Sequence, residues 1–274
     1  MSMSTTTESE SNTVGPLLRA WRNARKKSQL ALAMDAGISS RHLSFLETGR
    51  SSPSRAMVLT LAEALGVPLR ERNTLLAAAG FTAVYRETAL DATAMSEVRA
   101  ALSHILAASE PNPTFVVNRR YDILLTNDAG LRLLAFFAPT WHGKNNIALL
   151  VLSPDGLRPS LENWAEVAGK VVRRLRGELS PAVSRDAADL AILERAVEAE
   201  AELHAVSGGE ATRPPSILVP VRLRRGDLVL EMFTTITTVG TPLDITLQEL
   251  RIETLFPATA RAREALALVM HAED

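Results

Sequence analysis

Cysteine is missing from all 274 residues. Disulfides and thiolate metal ligands are therefore excluded, and a reducing compartment, the cytoplasm, is the expected location. Aromatic residues are scarce at 4 %, while 46 % of residues are hydrophobic, so a compact core must be built largely from aliphatic side chains. No apolar run approaches the roughly 18 to 20 residues of a membrane span, and no membrane partner is expected. The opening MSMSTTTESESNT lacks the apolar stretch of a signal peptide and reads as a disordered tail over residues 1–13. The five histidines, His42, His104, His142, His204 and His271, are scattered without a metal-ligand spacing. A phosphate-binding glycine loop and a nucleophile elbow are also missing. No catalytic residue, metal or cofactor is expected.

A large net charge is lacking too, at −1, but the charge is unevenly spread. Between Val14 and Gly80 ten Lys and Arg face four Asp and Glu, a balance of +6. A basic head on an acidic body points to a polyanion partner for the head. Within it, the run QLALAMDAGISSRHLSFLET from Gln29 to Thr48 has Ala33 where two helices cross and Gly37 where the chain turns. Ile38, Leu43 and Leu46 share the inward face of the second helix. That is the pattern of a helix-turn-helix, whose second helix enters the DNA major groove. Five short helices are predicted over 14–80, with Ser28, Ser39 and Ser54 as N-caps and Gly49, Gly66 and Gly80 as stops.

Downstream the pattern changes. A connector over 81–95 leads to a helix holding Val98, Leu102, Ile105 and Leu106. Two β-rich stretches follow, Thr114–Val117 and Tyr121–Thr126, then a helix from about Asn127 to Phe137. Ile147–Leu152 fits helix or strand. Two long helices come next, one bearing Trp164, Val167, Val171 and Leu175, the other running from about Ser184 to Ala205. Three strand candidates follow, Ser216–Arg224, Leu228–Thr238 and Asp244–Glu253, the first pair joined at Arg225-Gly226-Asp227. A helix from Ala258 closes the chain. The expected fold is an all-α helix-turn-helix domain of five helices, then an α+β domain over 96–274. Its five-stranded antiparallel sheet is expected to carry helices on one face.

Two long stretches carry a resemblance. LLRAWRNARKKSQLALAMDAGISSRHLSFLETGRSSPSRAMVLTLAEALGV, within residues 14–80, resembles the Xre (lambda-repressor-like) family. Continued into VPLRERNTLLAAAGF, and joined by NRRYDILLTND, LLVLSPDGLRPSLENWAEVA and TTITTVGTPLDITLQELRIETLFPA, it is similar to MmyB-like regulators. The resemblance implies a bacterial transcription factor with a PAS-like domain for small, apolar, fatty-acid-like ligands. One departure stands out: Lys27 occupies a place where the family usually has an apolar residue.

For the head, Ser39, Ser40, Arg41 and Ser44 sit in the first turns of the recognition helix and are the candidate base readers. Arg41 is placed to take a guanine edge. Gln29, at the start of the preceding helix, and Arg50 and Arg55 are the candidate phosphate contacts. Glu47 is expected to be structural, paired with Arg22. The partner expected is double-stranded DNA with an inverted repeat, bound by a homodimer. In the second domain, alternation along strands selects Phe115, Val117, Val219, Met232, Thr234 and Ile236 as candidate ligand contacts. Arg158 and Arg222 are the candidate cations for an acid group. Arg173, Arg174 and Arg176 read as a solvated basic face. The helix from Met95 to Ala107 is the expected transmitter between domains. Two other readings stay open at this stage: a second domain serving only dimerisation or protein interaction, and an enzyme.

Overall fold

The computed structural model describes residues 14–179, 187–207, 220–240 and 242–272. The expected tail, the start of the second long helix at Ser184 and the strand residues 216–219 lie outside the described residues. The chain divides into two compact units: residues through Thr88 with 241–248, and Ala89–Gly240 with the residues from Glu249 onward.

The first unit begins with α1 (Val14–Ala24), α2 (Gln29–Asp35), α3 (Ser40–Glu47), α4 (Arg55–Ala64) and α5 (Leu69–Ala78). Helices this short are marginal alone and depend on caps and on burying one face. The hydroxyls of Ser28, Ser39 and Ser54 accept from the N–H groups of Ala31, His42 and Met57 at 3.1, 3.1 and 3.2 Å. Leu18, Leu32, Leu43, Leu61 and Leu76 are fully buried and form the core. After α2, Gly37 adopts φ +66°. Its N–H and that of Ile38 donate to the carbonyls of Met34 and Ala33 at 3.2 and 2.9 Å, closing the helix and turning the chain toward α3. Gly15 answers a different demand: a Cβ there would lie 2.6 Å from the Leu46 carbonyl oxygen, so α1 and α3 approach closely only because the side chain is missing. Lys27 is accommodated at the rim of this core, where its ammonium donates to Asp35 and to the Ala64 carbonyl at 2.7 and 2.8 Å.

The second unit comprises α6 (Ser96–Ala108), β1 (Thr114–Val117), β2 (Ile123–Thr126), α7 (Asp128–Phe137), α8 (Ile147–Leu152), α9 (Trp164–Glu178), α10 (Ala187–Ser207), β3 (Val221–Arg225) and β4 (Leu228–Thr237). After α11 (Ile245–Glu249), most of which belongs to the first unit, come β5 (Arg251–Pro257) and α12 (Ala260–His271). The strands form one antiparallel sheet in the order β2-β1-β5-β4-β3, which is the expected α+β class. Gly226 at φ +58° makes the tight β3–β4 turn, with Arg225 paired to Leu228.

Three local expectations are corrected, and one segment left open between helix and strand is settled. Asp244–Glu253 is not one strand: the Asp244 carboxylate accepts the Thr246 N–H at 2.8 Å and nucleates α11, so β5 starts only at Arg251. This local side-chain bond offers the backbone an alternative to the ladder and outweighs the β-propensity of Ile245 and Thr246. Ile147–Leu152 is a helix, capped by Asn146, whose side-chain oxygen accepts from Leu149 N–H at 2.9 Å. The strand expected from Tyr121 starts at Ile123, because the Asn118 side chain accepts from the N–H groups of Arg120 and Asp122 and folds that stretch into a turn. Finally, the sheet is not covered on one face alone. α6 lies against β1, and the paired Val116 and Ile252, facing opposite to Phe115 and Val117, are buried as well.

Candidate nucleic-acid interface and ligand cavity

α3 turns Leu43 and Leu46 inward and leaves Ser40 and Arg41 exposed at its N-terminal end, with Ser44 half-buried. Its first turn is therefore free to enter a groove. The Ser39 hydroxyl is engaged as the cap, which leaves Ser40, Arg41 and Ser44 as the outward polar groups. The Arg41 guanidinium lies 5.4 Å from the centre of the Phe45 ring, a contact that aligns the side chain along the helix. Arg41, Arg50 and Arg55 are exposed and make no ion pair among the described residues. Gln29 donates its side-chain amide to Glu47 at 2.8 Å, so the helix start offers backbone N–H groups rather than that side chain to a phosphate. Glu47 is the hub beneath. It accepts two bonds from Arg22, at 2.6 and 3.0 Å, and its side chain is 1 % exposed. Burial alone would raise its pKa, but the hydrogen bonds from Arg22 and Gln29 outweigh burial and hold it below the usual carboxylate range.

The second unit encloses a cavity of about 110 Å³ between its sheet and α7, α8 and α9. Phe115 from β1, Leu133 from α7, Val171 from α9 and Leu255 from β5 give it apolar walls. Ile236 also lines it while remaining 43 % exposed, which places that residue at the mouth. Against these walls stands one polar group of residues. Arg174 of α9 donates to Glu253 at 2.9 Å and to Glu178 at 3.0 Å, and its guanidinium lies 5.2 Å from the centre of the Tyr121 ring. Lys170, one turn before, shares the lining. Burial pushes the Glu253 carboxyl above the usual carboxylate range, and the charge of Arg174 only partly restores it. Burial, together with the charge of Glu253, pushes the Tyr121 phenol well up.

Of the residues expected at the ligand, Phe115, Thr234 and Ile236 line this cavity. Val117 and Met232 do not; both are buried in solid core. Neither expected cation belongs to it. Arg158 is paired with Glu202, and its guanidinium stacks 3.8 Å from the centre of the Trp164 ring. Arg222, next to Val221 and Leu223 of the lining, alternates to the opposite face, where it pairs with Glu231 at 3.3 Å. Val219 lies outside the described residues. Asn127 caps α7, and Asn163 holds β3 through Pro220 and Arg222, so neither serves the cavity. The cations that do are Lys170 and Arg174, the second of which the basic run Arg173–Arg176 disguised as surface. The signal was present in helical spacing: Val167, Val171 and Arg174 share one stripe of α9.

Among the described residues no helix is long and apolar enough to cross a membrane. Comparison with known proteins then gives two matches. A family described as the MmyB-like transcription regulator ligand binding domain matches residues 98–269. A family described as Helix-turn-helix matches residues 18–72. Among curated proteins no match was found. An exposed recognition helix in the first unit and an apolar cavity in the second agree with that pairing, and the chain belongs to the MmyB-like transcription regulators, DNA-binding proteins with a ligand-binding domain.

Proposed function

We propose that the head reads an inverted repeat as a homodimer and that the second domain senses a small apolar acid of the fatty-acid class. In this reading Ser40, Arg41 and Ser44 face base edges, with Arg41 on a guanine. Arg50 and Arg55, with the N-terminus of α2, hold phosphates on either side. The ligand's hydrocarbon tail occupies the space between Phe115, Leu133 and Leu255, and its carboxylate replaces Glu253 as the partner of Arg174. The observation that carries the ligand reading is the meeting of an apolar cavity with a partly buried guanidinium at its wall. A planar fork of N–H donors suits a carboxylate bound through two parallel bonds. The volume argues for a short chain, since the cavity is smaller than the roughly 150 Å³ dry cavity that admits benzene. A longer chain must run out past Ile236.

The test is thermal unfolding and native mass spectrometry of the full chain with hexanoate, decanoate, palmitate and decanol. Decanoate at a hundred times its Kd should stabilise by about 2.7 kcal/mol, and decanol by less. Arg174→Gln should erase the preference for acid over alcohol, whereas Arg222→Gln should keep it. If no acid or alcohol shifts the transition, a dimerisation or interaction module becomes the better account of the second domain.

A further inference from the structure

The connection between β4 and β5 leaves the cavity wall, folds with the head, and returns. Ile236 and Glu253 are register partners on these strands, and both line the cavity. Between them, Asp244, Ile245 and Gln248 hydrogen-bond to Thr88, Arg86 and Leu69 of the first unit. The Asp244 carboxylate accepts the Thr88 hydroxyl at 2.7 Å, and Ile245 N–H donates to the Arg86 carbonyl at 2.9 Å. The Gln248 side-chain oxygen accepts the N–H of Leu69, the first residue of α5, at 2.7 Å. The residue preceding α5 is Pro68, which supplies no side-chain cap, so Gln248 serves from a distant part of the chain the role that a local serine serves for α2, α3 and α4. Just after Gln248, Glu249 lies 3.7 Å from the buried Arg119 and ties the returning limb to the second unit.

We infer that this connection transmits cavity occupancy to the head, by coupling the spacing of Ile236 and Glu253 to the cap of α5. The inference rests on the ligand reading above and extends it to regulation. A ligand that displaces Ile236 at the mouth, or draws Arg174 from Glu253, moves the two strand ends from which the connection hangs. Such a signal requires only that the ligand favour one setting of the strands over the other, and the head then biases ligand affinity by the same factor. The expected transmitter, Met95–Ala107, lies in the second unit, where Arg99 ties it to the Leu90 and Ala92 carbonyls. The β4–β5 connection is a route that linear chain order conceals.

Hydrogen exchange on the full chain tests it, with decanoate as probe. In the wild type, decanoate should slow exchange in β4 and β5 and also at the start of α5. In Gln248→Ala the slowing in β4 and β5 should remain and that in α5 should vanish, with basal exchange of the Leu69 amide raised roughly 2- to 10-fold. Persistence of the α5 response in Gln248→Ala, or its absence from a wild type whose strands respond, overturns the inference. If decanoate slows nothing, the acid reading fails and the ligand-free arm decides. There Ile236→Ala should speed exchange at Leu69 when Gln248 is present and not when it is replaced. Leu133→Ala, on the far wall, should leave Leu69 unchanged; an equal effect from both substitutions overturns the inference.

Discussion

Arg22 and Arg174 carry the same guanidinium and do opposite work with it. Arg22 is locked to a carboxylate held below the usual range. Glu47 therefore contributes stability that is present above its unfolded pKa and lost as pH falls through its folded value. Removing one partner of such a buried pair strands the other. Glu47→Ala should cost about 3–5 kcal/mol in urea unfolding of the head. Arg174 instead faces Glu253, whose raised pKa makes its ionised form costly at neutral pH, and that cost is relieved as pH falls through the folded value. Protonation of Glu253 releases Arg174. Decanesulfonate, an acid that stays ionised, should therefore bind more tightly as pH is lowered from neutral toward the carboxylate range, and Glu253→Gln should bind it tightly with a flat profile. An unchanged profile in that variant would remove Glu253 from the account. On the DNA side, Arg41→Ala should relax preference at one base position at a cost of about 1–3 kcal/mol. Arg50→Ala should weaken all sequences alike and flatten the salt dependence, as gel-shift titrations at several salt concentrations would show.

At the scale of the element, cap and periodicity made the head legible. Serines before α2, α3 and α4, with Gly37 after α2, mark starts and stops that the folded chain keeps. The close crossing of α1 and α3 was not legible, because nothing in VGPLLRAW says which backbone Gly15 will meet. Gly15→Ala should destabilise the head by about 1–3 kcal/mol through overpacking against the Leu46 and Glu47 carbonyls, read by thermal unfolding. In the second unit, residues 244–253 show the opposite balance. Their strand-like alternation was misleading, since one carboxylate bonding two residues ahead turned half of them into a helix. Arg174 belongs here too: the basic residues beside it, Arg173 and Arg176, are exposed, but its neighbours along the helical stripe line a cavity.

For the whole molecule, charge asymmetry is the feature that reaches furthest. A net charge of −1 conceals a head of +6, and that head brings steering and salt-dependent affinity for DNA. In the proposed homodimer, two heads on one inverted repeat would place their recognition helices about 34 Å apart, one turn of duplex. Inserting about half a turn, roughly 5 base pairs, between half-sites should reduce affinity to that of a single half-site. Footprinting or gel shift would measure it, and an indifferent response would exclude the homodimer. The division of the chain adds that residues 242–248 belong with the head although they are encoded between two strands of the second unit.

Local signals were enough for the helix-turn-helix, its caps, its outward Arg41 and the α+β class, because period, turn and cap act over a few residues and leave their mark in neighbouring letters. Which cation meets the cavity, which arginine pairs with the buried Glu253, and where residues 242–248 fold are matters of long-range juxtaposition. Arg174 and Glu253 are far apart in the chain, as are Leu69 and Gln248, and their meeting depends on how the sheet orders its strands and on where the β4–β5 connection packs.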